Sequence, residues 1–227
     1  MADHLDNVVW SSIVGPRSAL AETHGSAGRF HPDVAPFAAV RDPTSARAWA
    51  DLAVLVEPGR QATLFLPAAF EVPGGWTELR RLPCFQLVAD GVDVAAAEDG
   101  FLALGAADVP DMLELVAATR PGPFVARTVD FGGYLGVRVD DRLVAMAGER
   151  LRVDGFTELS AVCTVPELRG TGLATRLMLA VIARIRARDE EAFLHVLTDN
   201  ASAVRLYRAM GFSERCLTDA VVVEQAP

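Results

Sequence analysis

Arg169-Gly170-Thr171-Gly172-Leu173-Ala174 joins an apolar run, Thr157 to Val165, to a segment, Leu173 to Ala187, whose apolar residues recur at helical spacing. A strand, a glycine-bearing turn and a helix in that order leave the first N–H groups of the helix unpaired. The positive end of the helix dipole lies behind them. Gly170 and Gly172 have no side chain to block a close approach, and Arg169 adds a positive charge at the rim. The junction suits a pyrophosphate held on the N–H groups of Arg169 to Thr175. Glycines also occur at such junctions for steric reasons alone, so the rest of the chain has to agree. The spacing is neither G-x-x-x-x-G-K-[ST] nor G-x-G-x-x-G.

Outward from the turn, Phe193 to Leu197 reads as a strand and Ala201 to Met210 as a helix stopped by Gly211. Phe212 to Leu217 and Ala220 to Glu224 read as two closing strands. Upstream come a strand at Phe101 to Leu104 and a helix at Asp108 to Thr119, with Asp108 as N-cap and Pro110 in its first turn. Gly132 to Val137 and Arg142 to Arg152 form an antiparallel pair around the polar turn Val139-Asp140-Asp141. From about residue 100 the order is β-α-β-β-β-α-β-α-β-β, an α+β arrangement. Before it, helical patterns cover Asn7 to Glu22 and Ser45 to Val56, and an extended piece lies around Pro36 to Val40. A strand follows at Ala62 to Leu66, a helix at Trp76 to Arg81, and another extended piece at Cys84 to Val88 after the breaker Pro83.

Arg-x-x-Gly-x-Ala between a strand and a helix resembles the acetyl-coenzyme A loop of the GCN5-related N-acetyltransferase (GNAT) superfamily. The element order from Gly100 to Pro227 matches that superfamily as well. The resemblance implies a mixed, mostly antiparallel twisted sheet flanked by helices over residues 100–227. Residues 1–99 would be a separate α/β lobe covering the acceptor side of the cleft, and their α-β-α-β order leaves open a degenerate half of the same fold. It also implies an acyl-coenzyme A donor, with its pantetheine amides on the backbone of Val162 and Thr164, either side of Cys163. Asn200-x-x-Ala203-x-x-x-Tyr207 resembles the superfamily's closing motif, in which the Asn meets the cofactor arm and the Tyr hydroxyl lies near the thioester sulfur. Gly155-Phe156-Thr157-Glu158-Leu159 resembles the segment that carries the general base, which assigns that role to Glu158.

Each of these residues also has an ordinary structural reading. Strand alternation puts Glu158 on the same face as Val162, ~13 Å away, toward the acyl end, where a raised pKa would suit proton abstraction. A solvated strand glutamate is the alternative. Asn200 caps a helix by default, and Tyr207 could serve through its ring alone. Two helical turns apart, they share a face. A phenol can protonate a departing thiolate. His195, in an apolar strand, is a second candidate base. Cys163 has no neighbouring histidine and reads as core.

Composition narrows the rest. The chain has 227 residues, a net charge of −9 and no lysine, all 21 basic residues being arginine, so nucleic acid is not expected as a partner. The acidic excess tilts toward amine substrates. No apolar run reaches the ~20 residues of a membrane span, and Met1-Ala2-Asp3-His4 lacks a basic secretory start. Cys84, Cys163 and Cys216 form no C-x-x-C, and a reduced, cytoplasmic setting is expected. No metal-ligand spacing occurs. The expectation is transfer of an acetyl or short acyl group from acetyl-coenzyme A to a small-molecule amine in a ternary complex, in the manner of the glycine N-acyltransferase-like branch. A non-catalytic acyl-coenzyme A-binding module and a protein lysine or N-terminal acetyltransferase are the rivals. A homodimer stays open.

Overall fold

The computed structural model describes residues 4–97 and 100–226. In chain order the elements are α1 (Val8–Val14), β1 (Ala21–His24), β2 (Ala27–Phe30), β3 (Ala38–Val40), α2 (Ala46–Leu55), β4 (Gln61–Pro67) and β5 (Trp76–Val88). Then follow β6 (Leu102–Ala103), α3 (Val109–Thr119), β7 (Leu135–Val139), β8 (Arg142–Val153), β9 (Phe156–Thr164), α4 (Leu173–Arg186), β10 (Glu191–Leu197), α5 (Ala201–Met210) and β11 (Ser213–Gln225). The main sheet has the order β4-β11-β5-β10-β9-β8-β7-β6. Only β9 and β10 run parallel within it. A small antiparallel sheet, β1-β2-β3, stands apart. The fold is α+β, mixed and mostly antiparallel, as the sequence led us to expect.

The helical period of Leu177, Val181 and Ile185, with Met178 and Ile182, explains where α4 sits. These side chains bury against Leu87, Leu159, Leu194 and Val196 on one face of the sheet. Each such burial stabilises by ~1.5–3 kcal/mol. On β10 the alternating neighbour Phe193 points the other way, into a core built with Val9 and Ile13 of α1, Phe30, Phe37, Leu151 and Val153.

Four readings change. Trp76 to Arg81 is not helical but the first half of the 13-residue strand β5. Its charged residues carry helix propensity, but pairing with β11 decides their conformation. Pro83 does not break this strand, because pairing with β10 ends at Cys84 and Pro83 stands where β5 becomes an edge. The two closing strands are one, β11, with a bulge between Glu214 and Cys216. Asp219, between the two predicted strands, is buried in β11 and accepts hydrogen bonds from Arg81 and from the Ala69 N–H. The first helix ends at Val14, and Ala21–His24 is already strand.

The division at residues 99 and 100 does not part the sheet. Both edges of β11 are taken by strands from the first half, β4 and β5, and β5 also pairs with β10.

Candidate active site

Parallel pairing between β9 and β10 covers only Phe156–Glu158 against Glu191–Phe193. Beyond it the two strands diverge, and Leu159–Thr164 and Leu194–Leu197 line a cleft of about 1300 Å³. A bulge in β9 accompanies the split. Met146 faces Cys163 and Gly148 faces Ser160, so β9 carries one extra residue, and Ala161 takes a φ of +53°. Such a bulge locally raises strand twist and re-aims side chains. Leu159 and Val162, three residues apart, therefore both pack toward α4. Glu158 is not on the face of Val162, because strict alternation fails at the bulge.

The predicted anion loop lies at one end of this cleft, with Arg169, Gly170 and Gly172 to Thr175 among its lining. Gly170 and Gly172 have φ of +79° and +80°, which favours glycine, and a Cβ on either would point into open space. Thr171 closes the turn by donating its hydroxyl to the Leu168 carbonyl (2.8 Å). Gly172 is the N-cap of α4, with no side-chain cap and no acidic residue in the first turn. The N–H groups there are left to whatever anion arrives. Arg169 is oriented by its Nε–H, which donates to the Thr164 carbonyl (3.4 Å).

Two features along the splayed strands suit an extended polar arm. The free edge of β9 offers N–H and C=O groups at Val162 to Thr164, and Thr164 Oγ1 is buried with no hydrogen-bond partner. A buried hydroxyl left unpaired is costly unless a ligand meets it. Asn200 caps α5, its Oδ1 accepting from the Ala203 N–H (3.2 Å) and the Ser202 hydroxyl (3.0 Å). Its amide nitrogen makes no hydrogen bond among the described residues. Asn200, Ala203 and Tyr207 all line the cleft. The Tyr207 ring packs on Phe212 at 5.6 Å, and burial pushes its phenol up to about 12. At neutral pH it is a proton donor. These residues fit a coenzyme A thioester.

Glu158 does not fit the role of base. It is 0 % exposed, and its two carboxylate oxygens each accept a 2.7 Å hydrogen bond from Arg150. Burial alone would raise its pKa, but the Arg150 charge, those two hydrogen bonds and a further one from His195 hold it down to about 2. It has neither a spare oxygen nor the basicity to take a proton from an ammonium. His195 is also committed. Gln86 Oε1 accepts from Arg215, which fixes the amide so that Nε2 donates to the Leu5 carbonyl and to His195 Nε2 (3.1 Å). The other ring nitrogen, Nδ1, then carries the proton donated to Glu158 (2.7 Å). The partner of Glu158 was not singled out by the sequence, because Glu149, Arg150 and Arg152 are neighbouring charges on the preceding strand.

Cys163 and Cys84 also line the cleft, and burial pushes both thiols up to about 11, so neither is a nucleophile at neutral pH. Among the described residues no group of His, Cys, Asp and Glu could hold a metal ion. No described helix is long and apolar enough to cross a membrane. The far end of the cleft is walled by residues whose sequence carried no site signal: Phe37, Thr63, Phe65, Arg80 and Leu82 from the first half, with Ala220 and Val222. Phe65 stacks on His195 at 4.3 Å, and Phe37 lies 4.7 Å under the Arg150 guanidinium.

Comparison with known proteins agrees with this architecture. The FR47-like protein family model matches residues 134–221. The crystal structure of a GNAT-family protein from Novosphingobium aromaticivorans is 42% identical, covers 99% of this chain and 100% of its own, and superposes with a TM-score of 0.90. A GCN5-related N-acetyltransferase from Kribbella flavida shares the fold at 19% identity, with 98% and 96% of the two chains covered and a TM-score of 0.63. Mycothiol acetyltransferase from Thermobispora bispora is 44% identical over 57 residues, 25% of this chain and only 19% of that protein.

Proposed function

This chain belongs to the GNAT family, and from that premise we propose that it moves an acetyl or other short acyl group from acyl-coenzyme A to the primary amine of a small molecule. The observation that carries this reading is the continuity of the cleft. A glycine turn at a helix start, an open strand edge with an unpaired buried hydroxyl, and a protonated phenol line one cleft, together with residues of the first half.

In this reading the N–H groups of Arg169 to Thr175 hold the donor's pyrophosphate, with the Arg169 charge beside them. Val162 to Thr164 and Asn200 bind its pantetheine arm, with Ala203 in contact. The donor supplies a thioester, whose acyl carbon is the electrophile. The amine nitrogen forms a bond to that carbon as the carbon–sulfur bond breaks, and the electron pair of that bond leaves on sulfur. Tyr207 gives its hydroxyl proton to the sulfur and regains, through cleft water, the proton that the nitrogen sheds as the amide forms. The acceptor ammonium loses its proton to cleft water before attack, since Glu158 and His195 are both committed. Direct attack is the consequence of Cys84 and Cys163, the cysteines of the cleft, being held as thiols by burial.

A small acceptor is favoured over a protein tail because residues of the first half wall the far end of the cleft. Thiol release from acetyl-coenzyme A with a panel of amines tests the proposal. Turnover with at least one small amine is expected, with an acidic limb of the rate profile that moves with the acceptor's own pKa. Tight coenzyme A binding without thiol release from any amine would make the chain a binding module.

A further inference from the structure

The acceptor end of the cleft carries a charge that the proposed transfer leaves unused. There β4, β11 and β5 lie side by side in fixed register. Thr63 faces Val222, which faces Arg80, and Phe65 faces Ala220, which faces Leu82. All six line the cleft, so this face of the sheet is a trough with an aliphatic floor and Arg80 on one wall. Arg80 makes no ion pair and no side-chain hydrogen bond among the described residues. Its neighbours differ. Arg81 is held by Glu78 and Asp219, and Arg150 by Glu158. Arg80 is exposed on the cleft wall and unpaired among the described residues, so in a chain of net charge −9 its guanidinium is available to an anion from outside.

The same register sets a distance. On the splayed part of β10, Leu197 faces Cys84 and His195 faces Gln86. Those two β5 residues lie about 13 and 20 Å along the strand from Arg80, at ~3.3 Å per residue. An arginine side chain reaches ~6 Å, which leaves about 7–14 Å between its guanidinium and the reacting end of the cleft. A free α-amino acid, with its amine and carboxylate only ~3–4 Å apart, cannot occupy both positions.

We propose that the acceptor is an elongated primary amine with an anionic group, carboxylate or phosphate, at its far end, bound by Arg80 about 7–14 Å from the reacting nitrogen. This deepens the acyl-transfer reading and rests on it. The planar fork of a guanidinium matches either anion in a paired, two-bond geometry. Thr63, Phe65, Leu82 and the small floor residues accommodate an uncharged middle.

Matched probes test it. Triglycine spans ~10 Å from amine to carboxylate, triglycinamide lacks only the charge, glycine lacks the length, and 6-aminohexyl phosphate carries the other anion at similar reach. With acetyl-coenzyme A as donor, we expect kcat/KM for triglycine or the aminohexyl phosphate to exceed that for triglycinamide and glycine at least tenfold. Arg80→Gln should raise KM for that anionic probe about 10–100-fold, the range of a lost charge-assisted hydrogen bond, and move the triglycinamide KM less than twofold. Triglycinamide or glycine serving as well as the better of the two anionic probes, or a uniform change in Arg80→Gln, would overturn the proposal. Failure of every amine to release thiol would fall on the acyl-transfer reading instead. Calorimetric titration of triglycine and aminohexyl phosphate into the coenzyme A complex would then decide the anion site. Binding lost in Arg80→Gln upholds it, and equal binding sinks it.

Discussion

Glu158 shares both carboxylate oxygens with Arg150 and one of them with His195, and none of the three is free to change partner cheaply. Glu158→Gln leaves the buried Arg150 charge uncompensated, which typically costs ~3–5 kcal/mol. Urea unfolding at neutral pH should show that loss. The pH dependence has a definite sign. A carboxylate whose folded pKa lies near 2, against an ordinary 4.5, stabilises the fold fully above 4.5. That stabilisation fades as pH falls toward 2. The stability gap between wild type and Glu158→Gln should therefore close across that window, and a gap independent of pH would contradict the ion-pair account. Tyr207 makes a different prediction. Only its hydroxyl is lost in Tyr207→Phe, so turnover should fall ~10²–10⁴-fold with coenzyme A affinity nearly unchanged. Wild-type turnover in that variant would leave Tyr207 as packing against Phe212. The shared face of Asn200 and Tyr207, both of which line the cleft, was legible because helical spacing survives folding intact. Glu158 was misread because one extra residue at Ala161 breaks the alternation on which its face was inferred.

At the level of elements, the loop before α4 was legible and β5 was not, for opposite reasons. A strand, a glycine turn and a helix start are local, so neighbouring residues determine the loop's backbone. β5 is held by partners more than a hundred residues away, Val221 and Val222 on β11 and Phe193 to Leu197 on β10, and nothing in Trp76 to Arg81 announces them. The site inherits that blindness, since Arg80 and Leu82 lie in the misread stretch. The loop itself can be tested against a matched control. Gly172→Asp should abolish coenzyme A binding by placing a side chain and a negative charge where the pyrophosphate would lie. It also incurs ~1–2 kcal/mol of left-handed backbone strain. Gly59 has a φ of +75°, and a Cβ there meets nothing within 4 Å, but it lies outside the cleft. Gly59→Asp should show similar destabilisation in thermal melts and keep its affinity for coenzyme A. Comparable affinity losses in both variants would reduce the loop to a folding element.

For the molecule as a whole, the first half could be an accessory lobe or a part of the catalytic sheet, and the two alternatives predict different behaviour on truncation. An accessory lobe would leave residues 100–227 folded and able to bind coenzyme A, with acceptor selectivity alone lost. The sheet argues otherwise. Without β4 and β5, β11 has no strand on either side, and β10 keeps only its short parallel pairing with β9. Val221, Val223 and Phe193, which are 0 % exposed, would lose part of their cover, and Leu87 would leave the core beneath α4. Unpaired strand edges of that length also favour aggregation. Fragment 100–227 should therefore show no cooperative thermal transition and no measurable coenzyme A binding. Co-expression with fragment 1–99 should restore both, because β4 and β5 can pair from a separate chain as well as from a joined one. A cooperative melt of fragment 100–227 alone, with coenzyme A affinity within about tenfold of the full chain, would return the first half to the status of a lobe. The outcome also bears on how the cleft is built. Arg80 and Leu82 stand on the strand that pairs with both β10 and β11, so these cleft-lining residues cannot be removed without removing part of the sheet beneath α4.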